Sequence, residues 1–270
     1  MNELAWSKSR YRTFCSCRRE WFLHYVAARD AWRDDATEEE RNIRFCKKLT
    51  RLEWYFHRIF RDVLHRERGG SRAVEDALWR RWRHDRAYGN EVFQEVFYGE
   101  TGAVELAETG ISRLRENIAA FRKSELAQWL DSPREIERHV LELPLSFPVG
   151  EVAAYTAAFA LCRNRETWFF IELVGGRMAE TAALHRYYAY RRLQLPAVSV
   201  RSCFYDLDSG EMVMPEQSEL NFTAAADNVC REATEMAAAS PEDVTAAKAY
   251  LALPENRKRC GFCRFRAICR

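Results

Sequence analysis

The 270-residue sequence predicts an α/β protein, a mixed β-sheet core flanked by helices and preceded by a large N-terminal helical region. Three observations carry that expectation. Up to about residue 130, apolar residues recur at helical spacing. From Val140 to Asp206, short runs rich in β-branched and aromatic residues alternate with turn signals, and one helical stretch interrupts them. Cys260, Cys263 and Cys269 at the C-terminus form a C-x₂-C-x₅-C run, and Cys17 near the start is the leading candidate for a fourth ligand to the same metal centre, with Cys15 the alternative.

The elements follow in order, as four segments of one structural unit. Residues 1–30 read as an opening strand or turn and then a helix. Ser7, Ser9 and Thr13 are its candidate caps, and Phe14, Cys17, Trp21, Phe22 and Tyr25 its buried stripe. The second segment, 31–135, is helical. Its charged start over 31–45 reads as a loop or helix entry, and 46–67 as one long amphipathic helix with Leu49, Leu52, Tyr55, Phe56, Ile59 and Phe60 on its apolar face. Gly69-Gly70 breaks that helix, and further helices run over 73–130.

The third segment, 136–252, is the α/β core. Strands are expected over 140–145, 152–161 and 167–174, with a turn at Arg163-Asn164-Arg165 and a stop at Gly175-Gly176. A helix over about 178–193 leads to a strand over 198–206. Ser209-Gly210 turns that strand towards Glu211–Met214, and helix returns over 217–252. The last segment, 253–270, holds the three C-terminal cysteines.

Composition bounds the function. Hydrophobic residues make up 47% and charged residues 30%, which excludes wholesale disorder. No apolar run approaches the roughly 20 residues of a membrane span, and the opening Met-Asn-Glu-Leu-Ala-Trp has no basic-then-apolar leader. Nine cysteines without a leader point to a cytoplasmic protein that ligates metal rather than forming disulfides. The net charge of +2 does not argue for nucleic acid. Only six of the 42 basic residues are lysines, and the excess of arginine fits either phosphate recognition or a GC-rich coding bias. Zinc and an iron–sulfur cluster both suit the cysteines. Structural zinc more often uses two close C-x₂-C pairs. Cys46, Cys162, Cys203 and Cys230 stand alone and read as small core residues.

Taken together, the two cysteine regions resemble the iron–sulfur branch of the RecB-like PD-(D/E)XK nuclease superfamily, which includes AddB-type nuclease domains and CRISPR-associated iron–sulfur exonucleases. The matching residues are Ser9, Arg10, Phe14, Cys17, Arg19, Trp21 and Phe22 at the start, and Cys260, Cys263, Phe265, Arg266 and Cys269 at the end. The resemblance implies a restriction-endonuclease-like core and favours Cys17 over Cys15. It also implies a [4Fe–4S] cluster on Cys17, Cys260, Cys263 and Cys269 that staples the chain ends together.

The family's catalytic positions map onto His57, Thr156, Glu172, Val174 and Tyr188. Here the resemblance also implies a loss. Thr156 stands where the metal-binding aspartate belongs, Val174 replaces the lysine, and Leu184 replaces a glutamine four residues before Tyr188. Two carboxylates are needed to hold Mg²⁺ or Mn²⁺ for phosphodiester cleavage, and the lysine orients the attacking water. With Glu172 alone, a bound divalent ion is not expected. The expected protein is therefore a catalytically inactive nuclease-like subunit. It would bind DNA or other nucleic acid, or scaffold a repair, antiviral-defence or CRISPR-type complex with a helicase or an active nuclease. The alternatives are an active exonuclease with rearranged ligands and a module that contacts protein only. Candidate nucleic-acid contacts are Arg264 and Arg266 beside the cluster, and Arg186, Arg191 and Arg192 on the helix after Glu172.

Overall fold

The computed structural model describes residues 5–28, 33–66, 71–87, 91–100, 102–130, 137–139, 144–173, 179–206, 209–216, 222–241, 244–251, 254 and 257–269. The architecture is mixed α/β, with sheets that combine parallel and antiparallel pairs. The chain opens with β1 (Ala5–Ser7) and α1 (Lys8–Ser16). Ser7 caps α1 by accepting from the Arg10 N–H. Ser9 and Thr13 are not caps, because the Thr13 hydroxyl donates back to the Ser9 carbonyl inside the helix. The expected single helix is broken at Cys17, whose extended backbone (φ −163°) separates α1 from α2 (Arg18–Phe22).

Helix α3 (Glu38–Lys48) starts at a capping box between Thr37 and Glu40 and carries acids in its first turn and lysines in its last. The helix expected over 46–67 does not form as one piece. The chain extends at β2 (Leu49–Thr50), pairs in parallel with β3 (Val92–Phe93), and restarts as α4 (Leu52–Arg66). The cause is a cap from far along the chain. The buried Glu95 carboxylate, on α6 (Gln94–Phe97), accepts from the Leu52 N–H at 3.2 Å and begins the new helix there. Apolar periodicity runs through such a break without registering it.

The remaining helices of this region are α5 (Ser71–Ala87), α7 (Ala103–Lys123) and α8 (Glu125–Leu130). Tyr55 on α4 donates to buried Asp85 on α5 at 2.9 Å, and Arg81 pairs with the same carboxylate. Gly110 lets α7 lie directly on α4, since a Cβ there would sit 2.1 Å from the Phe56 ring.

A five-stranded sheet runs in the order β10-β9-β8-β7-β4. Its strands are β4 (Glu137–His139), β7 (Ala160–Asn164), β8 (Thr167–Leu173), β9 (Val200–Tyr205) and β10 (Met212–Val213). β7 and β8 form the expected hairpin, turning at Arg165 in the left-handed region (φ 53°). Helix α9 (Ala179–Arg192) connects β8 to its parallel neighbour β9. A second sheet, in the order β1-β6-β5, joins β5 (Leu145–Val149) and β6 (Val152–Thr156) to the N-terminal strand. Of the strand expected over 140–145, residues 140–143 lie outside the described residues, and the observed strand begins at Leu145.

The strand expected over 152–161 is two strands in two sheets. Its break lies at Ala157–Phe159. There the Ala157 carbonyl accepts from His185 at 2.7 Å, and the Phe159 N–H donates to Ile171 at 2.6 Å. Period-two alternation survives such a bend, so pattern alone reads it as continuous. Alternation along β8 then sorts the core. Ile171 joins the helical region's cluster with Phe56, Ile59 and Phe60, while Phe170 packs with Ala189 of α9. The helical region and α9 therefore cover opposite faces of the sheet. The final helices are α10 (Phe222–Ala238) and α11 (Val244–Tyr250) rather than one long helix, with Ser240-Pro241 between them. Among the described residues, no helix is long and apolar enough to cross a membrane.

Candidate metal centre and the cavity at Glu172

The break at Cys17 gives its sulfur a local role, accepting from the Glu20 N–H at 3.4 Å and capping α2. At the other end, a 3₁₀ turn over Arg257–Phe262 carries Cys260. Cys263 and Cys269 follow in tight turns, the Cys269 N–H donating to the Phe265 carbonyl. Phe265 is fully buried and anchors this knuckle. Cys17, Cys260, Cys263 and Cys269 all line one cavity of about 530 Å³, together with Arg19, Arg257, Arg259 and Arg266. Cys15 is exposed and lies off that lining. Cys46, Cys162 and Cys203 are buried, and Cys230 is half-buried.

Burial pushes the Cys263 thiol up to about 12, with Glu20, Cys17 and Cys269 adding to the shift. Burial also raises Cys17. Among the described residues, no three His, Cys, Asp or Glu side chains are gathered tightly enough to hold a metal ion. The four cysteines line a space, and their sulfurs are not gathered at a point. Around a single zinc, with bonds of about 2.3 Å, they would lie within about 4 Å of one another.

The ends of the chain are joined without the sulfurs as well. The Arg19 guanidinium donates to the carbonyls of Lys248 (2.7 Å), Leu251 (3.0 Å) and Cys269 (3.2 Å). Trp6 and Tyr11 reach Glu232 and Glu235 on α10. Tyr98 donates to the Arg264 carbonyl at 2.6 Å, and Gln94 to that of Phe262 at 2.8 Å.

A second cavity, of about 550 Å³, contains Thr156 and Glu172, which the sequence had placed in one site. Thr156 ends β6 and Glu172 sits near the end of β8. Glu172 is 8% exposed, and one of its carboxyl oxygens is buried with no hydrogen-bond partner. Burial pushes its carboxyl up to about 8, opposed by the charge of Arg61 on α4. Lys8, Ser9, Arg10 and Arg12 of α1 form another wall, brought there by the parallel pairing of Ser7 in β1 with Tyr155 in β6. Among the described lining residues, Glu172 is the only carboxylate.

The other candidates are dispersed. Val174 lies outside the described residues. His57 is exposed and does not line the Glu172 cavity, although Arg61, one turn later, is close enough to act on Glu172. Tyr188 packs edge-on against Phe147 and Phe170. Arg186 is buried and donates to the Ala197 carbonyl. Arg191 and Arg192 are exposed at the C-terminal end of α9, where their charge suits the helix dipole. Arg264 donates to the Lys47 carbonyl and stacks over Trp54, and Arg266 pairs with Glu100 over the Tyr98 ring.

Two features escaped the sequence reading. Arg10 and Arg12, close in sequence to Cys17, line the Glu172 cavity instead of the cysteine cavity. The cap at Ser7 marks where α1 starts, but only strand pairing shows what lies opposite. The second is His185, fully buried, which ties the bend at Ala157 to Ser202 on β9 and is held neutral with a pKa of about 4 by burial. A histidine after the small and apolar run Ala182–Leu184 was its only sequence signal. Neither a protein-family model nor a curated protein matches the chain.

Proposed function

We propose that this chain is a non-cleaving relative of the RecB-like nucleases. In this reading its ends are closed by an iron–sulfur cluster, and it binds nucleic acid or scaffolds a DNA-processing or defence complex. The observation that carries the reading is the makeup of the second cavity. Thr156 and Glu172 both line it, the described lining holds one carboxylate, and three cationic residues line the same space. A lone buried carboxyl with a raised pKa, in a cavity otherwise lined by Lys8, Arg10 and Arg12, is a poor host for Mg²⁺. The order of elements also supports the reading, with two successive hairpins, then α9, then the parallel strand β9.

The donor set of the first cavity suits a [4Fe–4S] cluster. Four thiols line a volume wider than a single ion needs, and arginines there offset the negative charge of a thiolate-bound cluster. Cys17, Cys260, Cys263 and Cys269 would hold it, and what it would supply is a cross-link between the ends rather than a reaction. Arg264 and Arg266 serve this region structurally. Arg191 and Arg192 are exposed and available to a nucleic-acid backbone.

The test is purification without oxygen, iron and sulfide analysis, and assays of oligonucleotide binding and cleavage. The expected result is about four irons per chain, salt-dependent binding, and no cleavage with Mg²⁺ or Mn²⁺. Cleavage that requires Mn²⁺ and disappears in Glu172→Gln would overturn the reading, and stoichiometric zinc would overturn the cluster.

A further inference from the structure

Among the described residues, the exposed large apolar side chains other than Tyr190 and Val198 fall into two patches. The first shows Phe45, Trp54, Val96, Phe97 and Phe262 to solvent. Contacts between α3, α4, α6 and the C-terminal turns make it continuous. Phe45 packs on Phe97 with ring centroids 5.2 Å apart, and Phe97 packs on Tyr98. Tyr98 donates to the Arg264 carbonyl, and the Arg264 guanidinium lies over Trp54. Gln94 donates to the Phe262 carbonyl, and Arg51 lies over the Phe262 ring. The patch is basic. Arg44 and Lys48 are exposed on α3, with Lys47 and Arg51 half-buried. Burial pushes the pKa values of Lys47 and half-buried His24 down, and the charges of Arg264 and Arg10 push both further. Nearby acids are engaged, Glu95 buried against Arg51 and Glu100 paired with Arg266, while Glu53 is exposed.

The second patch is acidic. Met212 and Val213 of the edge strand β10, and Met214 after it, are exposed between the exposed Glu211 and Glu216. Exposed Glu125 lines a cavity with Met212 and Met214. The segment 209–216 contains no basic residue. Apolar side chains on a sheet edge invite a partner. Both patches are open to solvent, so neither covers the other within one chain.

We propose that the two patches pair between copies of this chain, the Glu211–Glu216 edge of one protomer docking on the aromatic and basic surface of the next. Opposite charges meet across the contact, and methionine sulfurs meet aromatic rings. A nucleic-acid strand would suit the cations of the first patch but would leave the acidic patch uncovered, and Val96 offers no ring for a base to stack on. The paired surfaces differ, so the contact is heterologous and builds a ring or an open row of protomers. This pairing does not rest on the function proposed above.

The full chain, purified without oxygen, is followed by sedimentation velocity from about 1 to 200 μM. Self-association that weakens with added salt is expected. Phe45→Ala with Phe97→Ala, and separately Met212→Ala with Met214→Ala, should each weaken it about tenfold or more. Mixed in equal amounts, these two double variants should form a dimer with one of each and nothing larger, because each keeps the patch that the other lacks. Arg44→Ser with Lys48→Ser tests the first patch without touching its rings and should also weaken association. Val198→Ala, exposed outside both patches, should change nothing. Circular dichroism confirms that each variant is folded. A wild-type chain that stays monomeric, association unchanged in either patch's folded variants, or no pairing in the mixture would each overturn the proposal. Oligonucleotide binding by a monomeric wild type, lost in Phe45→Ala with Phe97→Ala, would overturn it in favour of nucleic acid on the first patch.

Discussion

The cavity at the cysteines and the cavity at Glu172 are similar in size, and α1 leads from one to the other, yet the chain treats them differently. Around the cysteines every candidate ligand lines one space, and most of the surrounding side chains are tied down, although the Arg19 Nε has no hydrogen-bond partner. Arg19 bridges to α11 and the C-terminal turns, while Arg264 and Arg266 are stacked and paired. Around Glu172 the walls come from two sheets, from α1 and from α9, and the acid is left without a partner for one oxygen. A structural centre is supported when its surroundings satisfy each group.

Several measurements would break or sharpen that contrast. The largest effect is expected from Cys263→Ser. If the cysteines hold a cluster, this removes on the order of 10 kcal/mol of metal-binding free energy from the fold. The purified variant would lose its iron and its cooperative thermal transition. Loss of neither would make the cysteines bystanders.

Glu172→Gln comes next and acts through pH. The folded-state pKa of about 8 lies above the ordinary 4.5, so the neutral acid's stabilisation is complete below about 4.5. As pH rises towards 8 it is lost, at about 1.4 kcal/mol per unit, and it is flat beyond. The glutamine variant should lack this slope and be more stable than wild type at pH 8, as read by urea midpoints. His185 tilts the other way. Its pKa of about 4 lies below the ordinary 6.5, so its contribution is present above 6.5 and lost as pH falls towards 4. His185→Phe should remove that acid-side loss.

Arg19→Ala should cost about 2 kcal/mol in apparent stability, because three backbone carbonyls lose a charged donor. The smallest effect is a gain. Thr156→Asp puts a second carboxylate into the Glu172 cavity and should tighten Mn²⁺ binding about tenfold, read by electron paramagnetic resonance. No gain would mean that the two side chains share the cavity without converging.

The strongest local patterns were legible in the chain itself. The hairpin through Arg165, the helix over Ala179–Arg192, the cap at Ser7 and the membership of the apolar faces all follow from spacing and residue type. The mixed α/β class follows from their order. Tertiary structure alone decided where those elements stop and what they face. Helix α4 begins where Glu95, 43 residues away, caps it. The strand through Ala157 breaks where His185 captures its carbonyl. Arg10 and Arg12 share a cavity with Glu172 because β1 pairs with β6. Each of these is a contact between residues distant in sequence. Periodicity reports only which face of an element is apolar. The partner that satisfies a buried polar group is set by packing, and so is the group left unsatisfied at Glu172.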